Sequence, residues 1–522
     1  MPSLTIDGNE IEFQPDESIM QVADRSAIEI PYYCWHRRLS VAANCRMCLV
    51  EVEKAPKLLP ACQTECRDGM VVTTTNETVK DAQRAVHEFL LINHPVDCPI
   101  CDQAGECKLQ DYYMEFQLTS SRMRDAKVAK PRLEQLGPHV LYNGERCILC
   151  TRCIRFMDEI AGDSQLGVFN RGDRAIIGTF PGQPLDNPYS LNTVEICPVG
   201  ALTSAGFRFK QRSWNLRRSP SICSGCARGC NVYVDQRAGQ VYRLKPREND
   251  AVNQGWMCDE GFLSYGRAND GRLTEPLARR SGGDDAVECS AQDAMARAVE
   301  LLAPIASAGQ GLGVVLSLHA TCEEAYVLGM LAKDVLGVGV ITLFDRPDGE
   351  ADEILRVADR NPNRAGVTRI VEAMGLEIGS SQDLKGKIES GSIKAVLCVG
   401  HETGDPDAAA KAAAGLEVFI HVAHARTALA ERADVTLPSL SWAQTDGTWI
   451  NVDGRAQRLT PAFAPQKAAR PAHVWLLDLA AGLGASFALP SVQTIRAEIE
   501  RSLDAFERSS LTDVGPRGRL LG

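Results

Sequence analysis

Cys147-Ile148-Leu149-Cys150-Thr151-Arg152-Cys153, closed far downstream by Cys197-Pro198, decides how this chain reads. Two consecutive C-x2-C steps with a remote Cys-Pro form the bacterial ferredoxin arrangement for a 4Fe–4S cluster, with the fourth cysteine displaced. Zinc, the other common holder of four thiolates, uses two separate C-x2-C pairs. Thiolate sulfur is the soft donor that iron–sulfur chemistry needs, and four donors close a cluster's outer coordination.

Outward from that stretch, three more sets of four appear between Cys34 and Cys258. Cys34/Cys45/Cys48/Cys62 has the spacing C-x10-C-x2-C-x13-C. Cys45 and Cys48, on one tight loop, are expected to grip one iron while the flanking Cys34 and Cys62 reach a second. That suits a 2Fe–2S cluster in a ferredoxin-type loop, although the spacing is not the plant-type run itself. His94/Cys98/Cys101/Cys107 is H-x3-C-x2-C-x5-C. Three clustered thiols leave one corner of a 4Fe–4S cubane open, and His94 is placed to fill it. A histidine at a helix end is more often a cap, but here the shortage of a fourth cysteine favours a ligand. A neutral imidazole in place of a charged thiolate should raise that cluster's potential. Cys223/Cys226/Cys230/Cys258, C-x2-C-x3-C-x27-C, again favours a cubane over zinc. The spacings therefore predict one 2Fe–2S and three 4Fe–4S clusters. Of the nineteen cysteines, Cys66, Cys289, Cys322 and Cys398 are left over. Cys66 is the nearest rival ligand and reads as a bystander; the other three read as buried thiols.

With 522 residues the chain should hold several domains, and a hydrophobic share of 44% is ordinary for a globular protein. A net charge of −11 argues against nucleic acid as the main partner. Arg208-Phe209-Lys210-Gln211-Arg212 reads as a solvated or docking face. No stretch approaches the roughly 18–20 apolar residues of a membrane helix. Met1-Pro2-Ser3-Leu4 enters a strand pattern at once, with no signal or transit segment, so the expectation is a bacterial-type cytoplasm. In a reducing compartment, tight C-x2-C groups read as metal or redox sites and not as disulfides.

Cysteine density divides the chain at about residue 270. Residues 1–78 open with a hairpin, Leu4-Thr5-Ile6, Asp7-Gly8, Ile11-Glu12-Phe13, then a helix capped by Ser18 and a strand at Leu49–Glu53. Residues 79–117 carry a helix over Val79–Ile92 and the second set; residues 118–215 carry the third and 216–272 the fourth. From 273 to 522, strands at Gly313–Leu318, Val338–Leu343, Lys394–Val399 and Val418–Val422 alternate with helices at Thr321–Val335 and Asp407–Gly415. That alternation predicts a doubly wound, parallel α/β domain. Ser281-Gly282-Gly283-Asp284-Asp285 is the best linker in this half. No acid–base or nucleophilic constellation, Rossmann G-x-G-x-x-G or P-loop stands in a persuasive context.

Asn44-Cys45-Arg46-Met47-Cys48-Leu49-Val50-Glu51-Val52-Glu53, Asn93 to Cys107, Cys150-Thr151-Arg152-Cys153-Ile154-Arg155-Phe156 and Cys197-Pro198-Val199-Gly200-Ala201-Leu202-Thr203 resemble the family of large iron–sulfur subunits of NADH-quinone oxidoreductase, respiratory complex I. The fourth set resembles the extra, off-path cluster that some bacterial members retain. Ala433–Pro438, Asp446-Gly447-Thr448 and Asn451–Arg455 are similar to molybdopterin oxidoreductases. The resemblance implies an α/β multidomain chain: N-terminal ferredoxin-like (β-grasp) and cluster-binding domains, then a truncated molybdopterin-oxidoreductase-like α/β domain without molybdopterin. It implies electrons arriving from a flavoprotein NADH-binding subunit at the Cys34/Cys45/Cys48/Cys62 set. They pass by the Cys147/Cys150/Cys153/Cys197 set to the His94 set, and leave through other iron–sulfur subunits toward a membrane quinone module. The place implied is peripheral, on the cytoplasmic side of the bacterial inner membrane. The nearest rival is the iron–sulfur subunit of an NAD-linked hydrogenase or formate dehydrogenase. A hydrogenase would need more cysteines after residue 270, and a formate dehydrogenase a larger pterin domain with a metal-ligating cysteine. A zinc-stabilised scaffold is the structural alternative.

Overall fold

The computed structural model describes residues 1–116, 121–279, 286–400, 402, 405–507 and 509–521, so Ser281–Asp285 lies outside the described residues. The chain folds as two compact units, Met1–Leu216 and Arg217–Gly522. The break falls well before residue 270, so the fourth cysteine set folds with the α/β half and not with the other three.

The first unit opens on a five-stranded sheet ordered Asn9–Glu12, Ser3–Ile6, Met70–Thr73, Leu49–Val52, Leu59–Pro60. The first two strands form the hairpin that Asp7-Gly8 announces, both residues having positive φ (47° and 82°). Two-residue hairpin turns of this kind match the twist of the strands and favour Asp-Gly. Leu4, Ile6, Val50 and Val72 face one core with Ile19 and Val22 of the helix Ile19–Arg25. Ser18 starts that helix with a reciprocal capping box to Gln21. Helix Glu77–Leu91 follows, capped by Asn76. A second sheet pairs Leu202–Ser204 with Val140–Tyr142, and Val140–Tyr142 with Glu134–Gln135. That pairing returns the remote Cys197 segment to the loop that follows Tyr142.

The second unit begins with three antiparallel strands, Arg217–Ile222, Asn231–Arg237 and Gln240–Pro246. Its main sheet has eight strands in the order Ala286–Glu288, Leu277–Arg279, Val435–Pro438, Val418–Ala423, Ala395–Val399, Leu312–Ser317, Val340–Phe344, Glu377–Gly379. The last six named run parallel, and the first two add an antiparallel edge. Val314 and Leu316 enter one core and Val315 another, so both faces of the sheet are covered, as the doubly wound pattern requires. The helix expected over Thr321–Val335 is helical over Cys322–Met330 and then widens into a π turn, Leu331–Val335. Among the described residues, no helix is long and apolar enough to cross a membrane.

A buried ion pair ties this unit together. Arg496 Nε donates to Glu323 Oε1 at 2.7 Å, with side chains 1% and 0% exposed. The backbone N–H and hydroxyl of Thr448 also donate to Glu323, and Arg496 reaches Asp446. Removing one partner leaves a buried charge unpaired, which costs about 3–5 kcal/mol. Arg496→Ala should therefore lower the denaturation free energy of this unit by about that amount in a urea titration. A loss under about 1 kcal/mol, the value of an exposed pair, would contradict this account.

Candidate metal centres

The third set is built by local backbone chemistry. Leu149 and Thr151 both sit in the left-handed region (φ 53° and 60°), which turns the loop so that Cys147 and Cys150 face inward. Cys153 follows in the first turn of the helix Arg152–Glu159. Cys197 arrives just after the helix Asn192–Glu195 and ahead of the strand Leu202–Ser204. All four cysteines line one small pocket with Tyr142, Ile177, Val199 and Leu202. Burial pushes Cys150 up to about 11 and Cys153 well above the usual thiol range; Cys147 and Cys197 are raised for the same reason. Without a compensating positive core such thiols stay protonated. A Leu149 N–H directed at Cys147 Sγ, 3.4 Å away, supports a thiolate there.

The fourth set sits in a hairpin end. Ile222 pairs with Asn231, so Cys223, Cys226 and Cys230 occupy the connecting loop, closed by Cys223 N–H donating to Cys230 O at 2.8 Å. Cys258 caps the helix Asp259–Leu263, its sulfur accepting from Gly261 N–H at 3.3 Å. The four cysteines line a small pocket with Glu260, Leu355, Arg356 and Arg360. Gly225 and Gly261 pack on the sulfurs: a Cβ at Gly261 would lie 3.4 Å from both Cys223 and Cys258 Sγ. Burial raises Cys223 to about 11 and Cys258 to about 12.

The first set is the most tightly drawn. Its thiol contacts join Cys45 to Cys34 and Cys48 to Cys62, with a further contact between Cys34 and Cys62. Spacing alone suggests that Cys45 and Cys48 act as a pair. The left-handed turn at Arg46 (φ 58°) lies between them, and each loop thiol instead meets a flanking one. Hydrogen bonds from Cys45 and Cys62 hold the Cys34 thiol far below its usual range, whereas Cys45 and Cys62 are driven up. Four thiols so close cannot all ionise unless a cation shares the site. Cys66 has other neighbours: burial beside Glu17 raises it to about 11, with Arg25 acting in the opposite sense.

The second set is the most open, with Cys98 exposed. Cys107 precedes the helix Lys108–Glu115, and burial raises it to about 12. Cys98 adds to the rise of Cys101, and Cys101 to that of Cys107. His94 is held neutral, at about 4, by burial and then by the charges of Arg146 and Lys127. A neutral ring nitrogen is what a metal ligand requires. Arg146, itself buried, donates to Asp97 at 2.8 Å and also lies near Cys101, so His94 and Cys101 share one cation. Arg212 donates to Cys101 O at 2.8 Å, and Phe209 N–H to Asp102. The basic run thus holds the second loop, a role the sequence left open between solvation and docking.

These sets adjoin. A Cβ on Gly200, three residues after Cys197, would collide with Cys101 Sγ, which places the second set against the third. Arg155 donates to the carbonyls of both Cys34 (2.6 Å) and Cys150 (3.2 Å), which places the first set against the third. Neither contact is visible in the spacing. The donor chemistry and the enclosed pockets fit iron–sulfur clusters. Molybdenum fits less well: Cys322 and Cys398 are buried within cores, and Cys289 is half-buried at a strand end. At the crossover between strands Leu312–Ser317 and Ala395–Val399, where such sheets bind ligands, Ser317 hydroxyl donates to Glu402 at 2.7 Å.

The Gly200 contact yields a selective test. Gly200→Ala should expel Cys101 and remove the second set's iron, with the first, third and fourth sets retaining theirs in an iron count and EPR spectrum. Full iron content with an unchanged spectrum would contradict the contact.

Comparison with known proteins matches five family models in order. These are a 2Fe–2S iron–sulfur cluster binding domain (residues 2–77), the NADH-ubiquinone oxidoreductase-G iron–sulfur binding region (83–122) and the NADH-quinone oxidoreductase subunit 3 ferredoxin-like domain (137–203). A molybdopterin oxidoreductase Fe4S4 domain (216–270) and a molybdopterin oxidoreductase domain (272–480) follow. The G subunit of NADH-quinone oxidoreductase from Rickettsia bellii is 43% identical over 282 residues, 54% of this chain and 41% of that one. The G subunit from Streptomyces coelicolor is 36% identical over 462 residues, 86% of this chain and 53% of that one. The chain thus spans about half the length of the curated relatives it matches. One chain of an NAD+-reducing NiFe hydrogenase aligns over 41% of this chain and 91% of its own, at 26% identity and a TM-score of 0.38.

Proposed function

Because this chain is a homologue of the G subunit of NADH-quinone oxidoreductase, we propose that it is an electron-transfer subunit of such a complex, carrying one 2Fe–2S and three 4Fe–4S clusters. Cys34, Cys45, Cys48 and Cys62 hold the binuclear cluster. The cubanes are held by His94 with Cys98, Cys101 and Cys107; by Cys147, Cys150, Cys153 and Cys197; and by Cys223, Cys226, Cys230 and Cys258. Bound iron–sulfur clusters supply one-electron oxidation and reduction. What this chain's own residues do is space the donor sets, bury them, and set the charge around each.

The observation that carries the reading is the adjacency of the donor sets within the first unit. The third set touches the first through Arg155 and the second through Gly200. First, third, second is the order that the family resemblance implies for single electrons, and the third set's contacts with both of the others support it. A flavoprotein NADH-binding subunit is the donor in this reading, and other iron–sulfur subunits lead on to the quinone. The exposed Cys98 and the neighbouring Val96 and Ile100, 87% and 56% exposed, suit the second set to an exit position. The α/β sheet of the second unit serves as a scaffold without molybdopterin, since its thiols outside the fourth set lie in cores or at a strand end.

Low-temperature EPR of the reduced protein, with iron and molybdenum counts, tests the whole scheme. The expected outcome is one binuclear and three cubane signals without molybdenum. Colourless protein containing zinc would end the electron-transfer reading. His94→Cys should leave the cluster count unchanged and lower one cubane potential, because a charged thiolate replaces a neutral ring. If every potential stays put, His94 is not a ligand.

A further inference from the structure

The helix Arg152–Glu159 does more than contribute Cys153. Residues 152, 155 and 159 are spaced three and four apart, so they share one face. That face is devoted to the loop of the first cysteine set. Arg152 Nη2 donates to Trp35 O at 2.6 Å, and its Nη1 donates to Ile196 O at 3.1 Å. Arg155 Nη2 donates to Cys34 O and to Cys150 O, while its Nη1 bonds Ser40 O. Glu159 accepts from the Ser40 backbone N–H at 2.8 Å and from its hydroxyl. Asn44 completes the seam by donating to Leu149 O at 3.2 Å.

Two of these contacts distinguish Arg155 from an ordinary surface arginine. Its single Nη2 is shared between the carbonyls of one cysteine from each set. Its charge is also partly buried, where it is screened less than in water. A fixed cation favours the more negative, reduced form of any redox group beside it, and it acts on both neighbours at once. Guanidinium suits the role because it stays charged and presents several donors in a rigid fork.

We propose that Arg155 is a positioning residue for electron transfer between the first and third sets: one shared cation that locks the two ligand loops together and raises both potentials in step. Arg152 and Glu159 hold the same loop from either side of it. This rests on the iron–sulfur reading above, and the test separates the two.

The test is an EPR redox titration of the full chain and its Arg155→Gln variant. The expected result is an unchanged cluster complement in which the binuclear signal and one cubane signal both become harder to reduce. The reduced-to-oxidised ratio at a fixed ambient potential should fall about tenfold for each, a shift of about 59 mV for one electron. The other two cubane signals should stay in place. A variant in which neither signal moves, or in which all four move alike, overturns the proposal while leaving the cluster assignment standing. Wild-type protein without iron–sulfur signals overturns both. Should Arg155→Gln fail to hold its clusters, Arg155→Lys decides. It keeps the charge but lacks the fork, so both potentials should match wild type while the magnetic interaction between the two reduced clusters weakens. An unchanged interaction, or potentials that fall despite the retained charge, overturns the proposal.

Discussion

Sulfur taken out of water is the constraint on which this molecule turns. The third and fourth sets place four thiols each around pockets lined largely by apolar groups, and burial drives most of them far above the pH of a cell. Protonated thiols packed together gain little from one another. In the iron–sulfur reading a multiply charged core among them would reverse the balance, with each sulfur deprotonated and bonded to it. Folding and cofactor retention would then be one problem in these segments. Gly200 stands where a side chain would press on the Cys101 sulfur, and Gly225 and Gly261 line the sulfurs of the fourth set at contact distance.

Around those sulfurs the first unit is organised by cations. Arg146 stands between His94 and Cys101, Arg152 and Arg155 between the first and third loops, and Arg212 behind Cys101. Most of their bonds go to backbone carbonyls, which fixes loop conformation without spending the charge on a carboxylate. Arg146 is the exception, neutralised in part by Asp97. A chain with a net charge of −11 thus concentrates positive groups where negatively charged clusters are expected to sit. Guanidinium fits such places because it cannot deprotonate and serves several acceptors at once.

The second unit handles charge differently. Its central pair, Arg496 with Glu323, is fully withdrawn from solvent and satisfied by Thr448 and Asp446, as in a domain whose interior is structural. Its sheet is covered on both faces, and its own thiols outside the fourth set are buried in those cores or at a strand end. The hairpin end with Cys223, Cys226 and Cys230, plus the cap Cys258, is where this unit gathers thiols around a pocket.

The grouping of thiols was legible in the sequence because C-x2-C steps are local: two residues of loop suffice to bring sulfurs together, whatever the rest of the chain does. The hairpin at Asp7-Gly8, the Ser18 cap and the alternating strands of the α/β domain were legible for the same reason, since turn chemistry and side-chain period act over a few residues. Tertiary structure alone decided which loop touches which. The pairing of Cys45 with Cys34, the approach of Gly200 to Cys101, and the paired hydrogen bonds from Arg155 to Cys34 and Cys150 span gaps that no spacing rule measures. That the fourth set folds with the α/β half beyond the break at 216, and not with the other three, was hidden likewise, because cysteine density follows the chain whereas compactness follows contacts between strands and helices far apart in it. Local chemistry is written residue by residue; the distances an electron must cross are set only when the loops pack.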